Sequence, residues 1–529
     1  MQDNILESQP IDRLALLIEE GARASERSVK RFIEPASGTL RRALSKRHHI
    51  IFGRRGSGKT SLLKKAYADF AIERKPIAYV DLEPYKGHHY PDVLISILIA
   101  TFSSFIDWLD STAIYPASKK TFWDKIFGKR PSASPLNIKG AKELKNKIKV
   151  SVDELIKQLH LSDGVEIENC ATTNQEQANR VEGNLKIGKA GIDASCGVES
   201  QQKNIASEIS TEKYKRSKID FLYKNIIEYQ TIFKELYVLS GNDSYLFLDD
   251  LYHIRKKDQT ELLDYFHRIV KGNNAWLKVG TIRHRSQWYI HGNPPLGLKL
   301  GDDADEINLD LTLEKYSLAK KFLIMILNGL IDESSAPKLN DFVTDGAIDR
   351  LILASGGVAR DFLGIFRKAI DEARERISLN PRHSRGLRIG SEDVNLSAGL
   401  YGETKKEEFK LDTLEDRIRL EKAFSRISNF CIDEINANCF LLDQDLTGKN
   451  VELIHELVDL RLIHHVRSRV TVSGRRGRIY QAYMLDVSQY TGARKRRELE
   501  MVDFWETGTQ ERLRRASLIF DPTNENEFS

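Results

Sequence analysis

The residues best suited to do chemistry stand in one run, Gly53-Arg54-Arg55-Gly56-Ser57-Gly58-Lys59-Thr60. The run fits the spacing G-x-x-x-x-G-K-[ST] at every fixed position. Its glycines let the backbone curl so that successive N–H groups point at one centre, which suits phosphate oxygens. A helix starting at the end of the run adds its positive terminus to the same anion. Lys59 is then expected to reach the β- and γ-phosphates of a nucleotide, and Thr60 to place its hydroxyl on Mg²⁺. Gly53, Gly56, Ser57, Gly58, Lys59 and Thr60 are therefore the candidate residues for binding ATP, with Mg²⁺ as its companion. A second pair lies far off in the chain, where the apolar run Tyr245-Leu246-Phe247-Leu248 ends in Asp249-Asp250. Asp249 is the candidate for Mg²⁺, beside Thr60. Asp250 is the candidate to polarise an attacking water.

Such residues need strands to carry them. His49-Ile50-Ile51-Phe52 precedes the glycine run, and a helix is expected from Lys59 to about Phe70. Ile77 to Leu82, Tyr245 to Asp250 and Trp276 to Thr281 read as further buried strands. Helices are expected over Asp92 to Leu109, Ile219 to Leu236 and Gln259 to Val270. Strand, loop, helix and strand in this order predict a parallel sheet with crossover helices. The stretch 110–215 breaks the pattern. Its alternating segments Gly164 to Glu168 and Leu185 to Lys189 suggest an insertion carrying a β-hairpin. Residues 313–400 read as helical, and 414–490 as helical and then a hairpin.

Composition sets outer limits. A chain of 529 residues with 41% hydrophobic and 30% charged residues fits two to four folded domains. Cys170, Cys196, Cys431 and Cys439 have no paired spacing, which argues against a disulfide framework or a zinc site and for a cytoplasmic protein. Met1 to Arg13 is polar and does not read as a secretory leader. The longest apolar run, Val93 to Ile106, falls short of the roughly 20 residues that span a bilayer, so no membrane is expected and the run reads as a buried helix. His48-His49 and His464-His465 lack metal-ligand partners and read as strand-edge residues. A net charge of +5 permits nucleic acid as a partner without arguing for it.

Four further segments carry a family likeness. They are Val279-Gly280-Thr281-Ile282-Arg283, Ser355-Gly356-Gly357-Val358-Ala359-Arg360-Asp361-Phe362-Leu363, Ser391-Glu392-Asp393-Val394, and the stretch around Gly474-Arg475-Arg476-Gly477. Together with the phosphate loop they resemble the AAA+ P-loop ATPases, and within them the origin-recognition (ORC-type) initiator family, with features of the signal-transduction (STAND) ATPases. The resemblance covers about residues 20–110 and 215–490. It implies an α/β P-loop AAA+ domain, a parallel sheet with flanking helices, followed by a helical lid and a C-terminal winged helix. The implied division is N-terminal linker helices over 1–45, the AAA+ domain over 46–312 with its insertion, the lid over 313–400, the winged helix over 414–490 and a polar basic tail over 491–529.

By the same resemblance Thr281 is the sensor 1 residue. Arg283 matches the STAND arginine that touches the γ-phosphate, Arg360 is the sensor 2 arginine of the lid, and Ser391 caps the last lid helix. Arg268, Arg283 and Arg285 are the candidates for an arginine offered to a neighbouring subunit. Many hydrolysing relatives carry Asp-Glu where this chain has Asp249-Asp250, which implies slow turnover. In the winged helix, Arg475, Arg476 and Arg478 suit backbone phosphates at the wing, with Arg467 and Arg469 on the flanks. The helix from Gly448 to Leu460 instead offers Glu452, Glu456 and Asp459 against Lys449, which repels phosphates. The expected function is an ATPase switch that forms a homo-oligomer with nucleotide and associates with double-stranded DNA. The alternative is a STAND-like signalling ATPase of a bacterial anti-phage defence system that acts through a separate effector protein.

Overall fold

The computed structural model describes residues 5–21, 29, 31–114, 136–161, 215–379, 386–412, 417–492, 499–506 and 508–523. Strands β1 (His48–Phe52), β2 (Ile77–Asp81), β3 (Ser244–Asp249) and β4 (Ala275–Thr281) lie where the sequence predicts them. A short ribbon, β5 (Tyr289–Ile290) and β6 (Leu296–Gly297), precedes β7 (Ala304–Asn308). The main sheet runs β2-β3-β4-β1-β7 with every pair parallel. Every residue of β1 and β3 is buried, because helices cover both faces. Strand β7 was not legible in advance. Only Ala304 and Ile307 are buried in it, and an edge strand of this length carries too few apolar residues to show a period.

Helices α2 (Lys59–Ile72), α3 (Asp92–Leu109), α4 (Ile138–Leu159), α5 (Ile226–Ser240) and α6 (Lys256–Val270) flank the sheet. The region read as an insertion contributes α4, whose buried stripe of Ala141, Leu144, Ile148 and Leu155 joins the core formed with α3 and α5. Asn137 caps it by accepting hydrogen bonds from the N–H groups of Lys139 (3.1 Å) and Gly140 (3.2 Å). The proposed hairpin segments, Gly164 to Glu168 and Leu185 to Lys189, lie outside the described residues. The stretch Asp92–Thr112 is long and apolar enough to cross a membrane. Here Val93, Leu94, Ile97, Leu98, Phe102 and Phe105 are all fully buried within the domain, as expected of a core helix.

A second body follows. Helices α7 (Tyr316–Ser334), α8 (Asp345–Ser355), α9 (Ala359–Leu379) and α10 (Ser391–Asp412) pack together, and α1 (Gln9–Gly21) lies on α7 and α9. Leu14, Leu17 and Ile18 of α1 are buried there, and Arg374 and Arg367 of α9 pair with Asp12 (2.6 Å) and Glu19 (2.8 Å). At the start of α10 it is Asp393, not Ser391, whose side chain accepts the Gly390 N–H (2.8 Å).

After α11 (Arg417–Asn429) come β8 (Cys439–Asp443), α12 (Lys449–Asp459), β9 (Ile463–Val470), β10 (Tyr480–Leu485) and β11 (Ile519–Phe520), with sheet order β11-β8-β10-β9. Described residues of the tail join this sheet and its core. Strand β11 pairs parallel to β8, and Val502, Phe504, Leu513, Leu518 and Phe520 are buried. The cluster Arg494 to Arg497 lies outside the described residues. One hydrophobic core runs from α1 through the helical body to β11, separate from the core of the main sheet. Phe520 stands at its end, stacked edge-on to Phe430 and Phe440. Phe520→Ala is expected to destabilise this body by about 3–5 kcal/mol, read from its urea transition while the transition of the main-sheet domain stays in place.

Candidate functional site

Parallel strands deliver their C-terminal ends to one edge of the sheet, where connecting loops form a crevice. The register puts Asp81 beside Asp249, and Phe52 beside Thr281, at that edge. The phosphate loop leaves β1 there. Gly53 N–H bonds to the Thr281 carbonyl (3.2 Å), Gly56 and Gly58 take left-handed φ of 84° and 98°, and α2 begins at Lys59. Lys59 is buried. Its ammonium donates to the carbonyls of Gly53 (2.9 Å) and Arg54 (3.3 Å) and lies over the Tyr252 ring. Burial pushes its pKa down, opposed by the charges of Asp250, Asp249 and Asp310.

Asp249 is buried against Tyr79, whose hydroxyl donates to Oδ2 at 2.5 Å. Burial raises its pKa, while the Tyr79 and Thr60 hydroxyls and Lys59 favour the carboxylate. Gly280 of β4 makes room for it, since a Cβ there would stand 2.7 Å from Asp249 Oδ1 and 2.9 Å from Leu63. Asp250 leaves the strand at φ 58°, a conformation that Asp tolerates better than most residues. Burial, and then the neighbouring Asp249, push its carboxyl up to about 7.

Thr281 is buried at the end of β4, with its hydroxyl bonded to that of Ser286. Arg283 pairs with Glu306 of β7 and stacks 4.1 Å from the centre of the Phe52 ring. Arg285 lies over the Tyr252 ring (5.4 Å), on which Lys59 also rests (5.6 Å). Arg268 is held on α6 by Asp264 (2.6 Å).

The helical body closes the loop from above. Arg360, in the first turn of α9, donates its backbone N–H to the Gly56 carbonyl (3.4 Å). A Cβ on Gly56 would come within 2.7 Å of Arg360 Cβ, so the fit leaves no space there for another residue. Arg360 lies close enough to oppose the charge of Lys59. Arg54 is buried and ties the loop to the same body. Its backbone N–H and Nε bond to Asp310 (2.8 and 3.2 Å), and Nη2 bonds to the carbonyls of Leu311 (3.1 Å) and Gly356 (3.0 Å). Sequence reasoning missed Arg54, Asp310 and Tyr79. Arg54 fills a variable position of the motif, and the other two carry no local signal. Gly280 had one, a glycine inside a strand, which marks close approach of another group.

The residues fit a phosphate–metal group. Ser57 Oγ and Asp249 Oδ1 are buried at the loop without a hydrogen-bond partner among the described residues. Buried polar atoms are ordinarily satisfied, so both atoms face a missing partner. Among the described residues no cluster of three or more His, Cys, Asp or Glu side chains is suited to a metal.

In the C-terminal body, Arg475 and Arg476 are exposed on the β9–β10 turn, and Arg478 pairs with Asp443 (3.2 Å). Two acids of α12 are turned to the main-sheet domain. Asp459 accepts from the His284 backbone N–H (2.9 Å) and contacts its ring (3.1 Å), and Glu456 faces Lys256 (3.7 Å). The histidine pairs stand at the start of β1 and on β9, the edge strand of its sheet. His48 and His49 are buried in β1, and His464 is buried in β9 against Asp486 (2.8 Å).

No family model and no curated protein matches the chain. Two solved structures match the chain at low identity. The Orc1 protein of Aeropyrum pernix, solved in complex with DNA, is 14% identical, with 87% of this chain and 91% of that chain covered at a TM-score of 0.34. A Walker-type ATPase of Pyrococcus abyssi is 12% identical, with 85% and 93% covered at a TM-score of 0.36.

The raised Asp250 carboxyl has a sign that can be tested. The folded group holds its proton up to about pH 7, whereas the unfolded one loses it near pH 4. Without Mg²⁺, stability from this group is complete below about pH 4 and is lost as pH rises to about 7. Asp250→Asn should therefore raise the melting temperature of the metal-free protein more at pH 8 than at pH 5, measured by differential scanning calorimetry.

Proposed function

We propose that this chain is an ATP-binding AAA+ switch of the ORC type that hydrolyses ATP slowly, assembles into a homo-oligomer with nucleotide and associates with double-stranded DNA. The observation that carries it is the meeting of Lys59, Thr60, Asp249 and Asp250 at one sheet edge, with Ser57 Oγ and Asp249 Oδ1 left without partners. In this reading the loop N–H groups and Lys59 bind the phosphates, and Thr60 and Asp249 hold Mg²⁺. Bound Mg²⁺ neutralises charge on the phosphate oxygens. Asp250 accepts a proton from water, and Thr281 orients that water. Arg283 and Arg360 read the γ-phosphate, Arg360 from a helical lid. The C-terminal body serves as a winged helix that grips DNA backbone through Arg475, Arg476 and Arg478.

A second reading has one observation of its own. Asp459 and Glu456 hold α12 against His284 and Lys256 of the nucleotide domain, so this helix is engaged within the chain. That favours a closed, STAND-like monomer that opens on a trigger and works through a separate effector protein.

Lys59→Ala should abolish ATP binding in calorimetry and remove any ATP-dependent mass increase in mass photometry. Equal assembly of wild type and variant, with and without ATP, would sink the switch. For the DNA role, Arg475→Glu with Arg476→Glu should weaken duplex binding at least about tenfold and flatten its salt dependence by about two phosphate contacts. Little change in either would favour the STAND-like reading.

A further inference from the structure

Arg360 is followed by Asp361, and the two residues face different worlds. Arg360 stands on the phosphate loop, while the Asp361 side chain is fully buried and points into the C-terminal body. Arg461, from the turn between α12 and β9, bonds to Asp361 Oδ1 and also to Glu408 of α10. Lys405 of α10 stands 3.3 Å from Asp361 and 2.7 Å from Asp486. Asp486 bonds to His464 of β9 at 2.8 Å. The His464 ring occupies the space where Gly356 would carry a side chain, and the Gly356 carbonyl accepts from Arg54 at 3.0 Å. The chain of contacts thus leaves the phosphate loop at Gly56 and returns to it at Arg54, and every side chain between Asp361 and His464 on that path is at most 3% exposed.

Burying this many charges is not needed for packing, since apolar residues of similar size commonly serve as well. What charges add is a defined geometry. Arg461 is itself held at φ 64°, unusual for a residue other than glycine, and such strain persists only where the surroundings over-determine it. The helix start that presents Arg360 is therefore fixed by a residue of the C-terminal body.

We propose that Arg461, acting through Asp361, is a positioning residue that sets Arg360 over the phosphate loop, so that the C-terminal body tunes recognition of the nucleotide's terminal phosphate. This rests on the nucleotide reading above. It requires that Arg461 matter for a triphosphate far more than for a diphosphate, and only while Arg360 is present.

The test is a double-mutant cycle on the full chain. Fluorescent ATP and ADP analogues are titrated into wild type, Arg360→Ala, the charge-balanced pair Asp361→Asn with Arg461→Met, and the combination of all three. The pair should weaken ATP at least about fivefold (on the order of 1 kcal/mol), leave ADP within about twofold, and add nothing to Arg360→Ala. Arg461→Lys, which keeps the charge without the fork that spans Asp361 and Glu408, should restore part of the ATP preference. A folded pair that binds ATP like wild type, equal losses for ATP and ADP, or a loss additive with Arg360→Ala would each overturn the proposal. If the pair does not fold, Arg461→Lys carries the test alone, and unaltered ATP preference in it overturns the proposal. Failure of the nucleotide reading looks different: wild type and Lys59→Ala would then bind both analogues equally.

Discussion

The buried guanidinium of Arg54 constrains much of the molecule. An isolated charge inside a protein is costly, so each of its donors needs a partner. The partners come from three places: the loop that follows β7, the entry to the helical body, and the glycine turn between α8 and α9. Satisfying one side chain thereby fixes the phosphate loop, the edge strand and the helical body relative to one another. The closeness of Arg360 to Gly56 follows from that fixation, and so does the narrow gap in which Gly356 meets His464.

The nucleotide half of the site was largely legible. Gly53 to Thr60 and Asp249-Asp250 follow local rules of loop and strand, and four strands of the main sheet fell within a residue or two of their expected bounds. Three things were hidden. Strand β7 is held by pairing to β1 rather than by its own apolar pattern. Helix α4 was masked by lysines that clothe its outer face while Leu144, Ile148 and Leu155 point inward. The contacts that join the two bodies link residues hundreds of positions apart, and no spacing rule within one sequence reports them. The tail's part in the core was hidden for a related reason, because its apolar residues are spread thinly over a polar stretch, and Val502, Phe504, Leu513, Leu518 and Phe520 still reach the core.

The acids of α12 have partners within the chain that their charge alone does not disclose. Their charge does speak against insertion into a nucleic-acid groove. The structure adds what they do instead: His284 follows Thr281 by three residues, so Asp459 takes hold of the segment that leaves the candidate water-orienting strand. The C-terminal body and the main-sheet domain are thus joined by a second set of contacts, in addition to the buried charges around Asp361.

The position of α1 carries a consequence for the newborn chain. Its buried face, Leu14, Leu17 and Ile18, rests on α7 and α9, which are translated some 300 residues later. Until then an amphipathic helix is left with an oily stripe and no cover, the kind of surface that chaperones hold and that aggregates otherwise. The same body waits again for β11, which pairs with β8 and follows it in the chain. Synthesis can complete the nucleotide domain well ahead of its neighbour, and the neighbour closes only when α1 and β11 have both joined it.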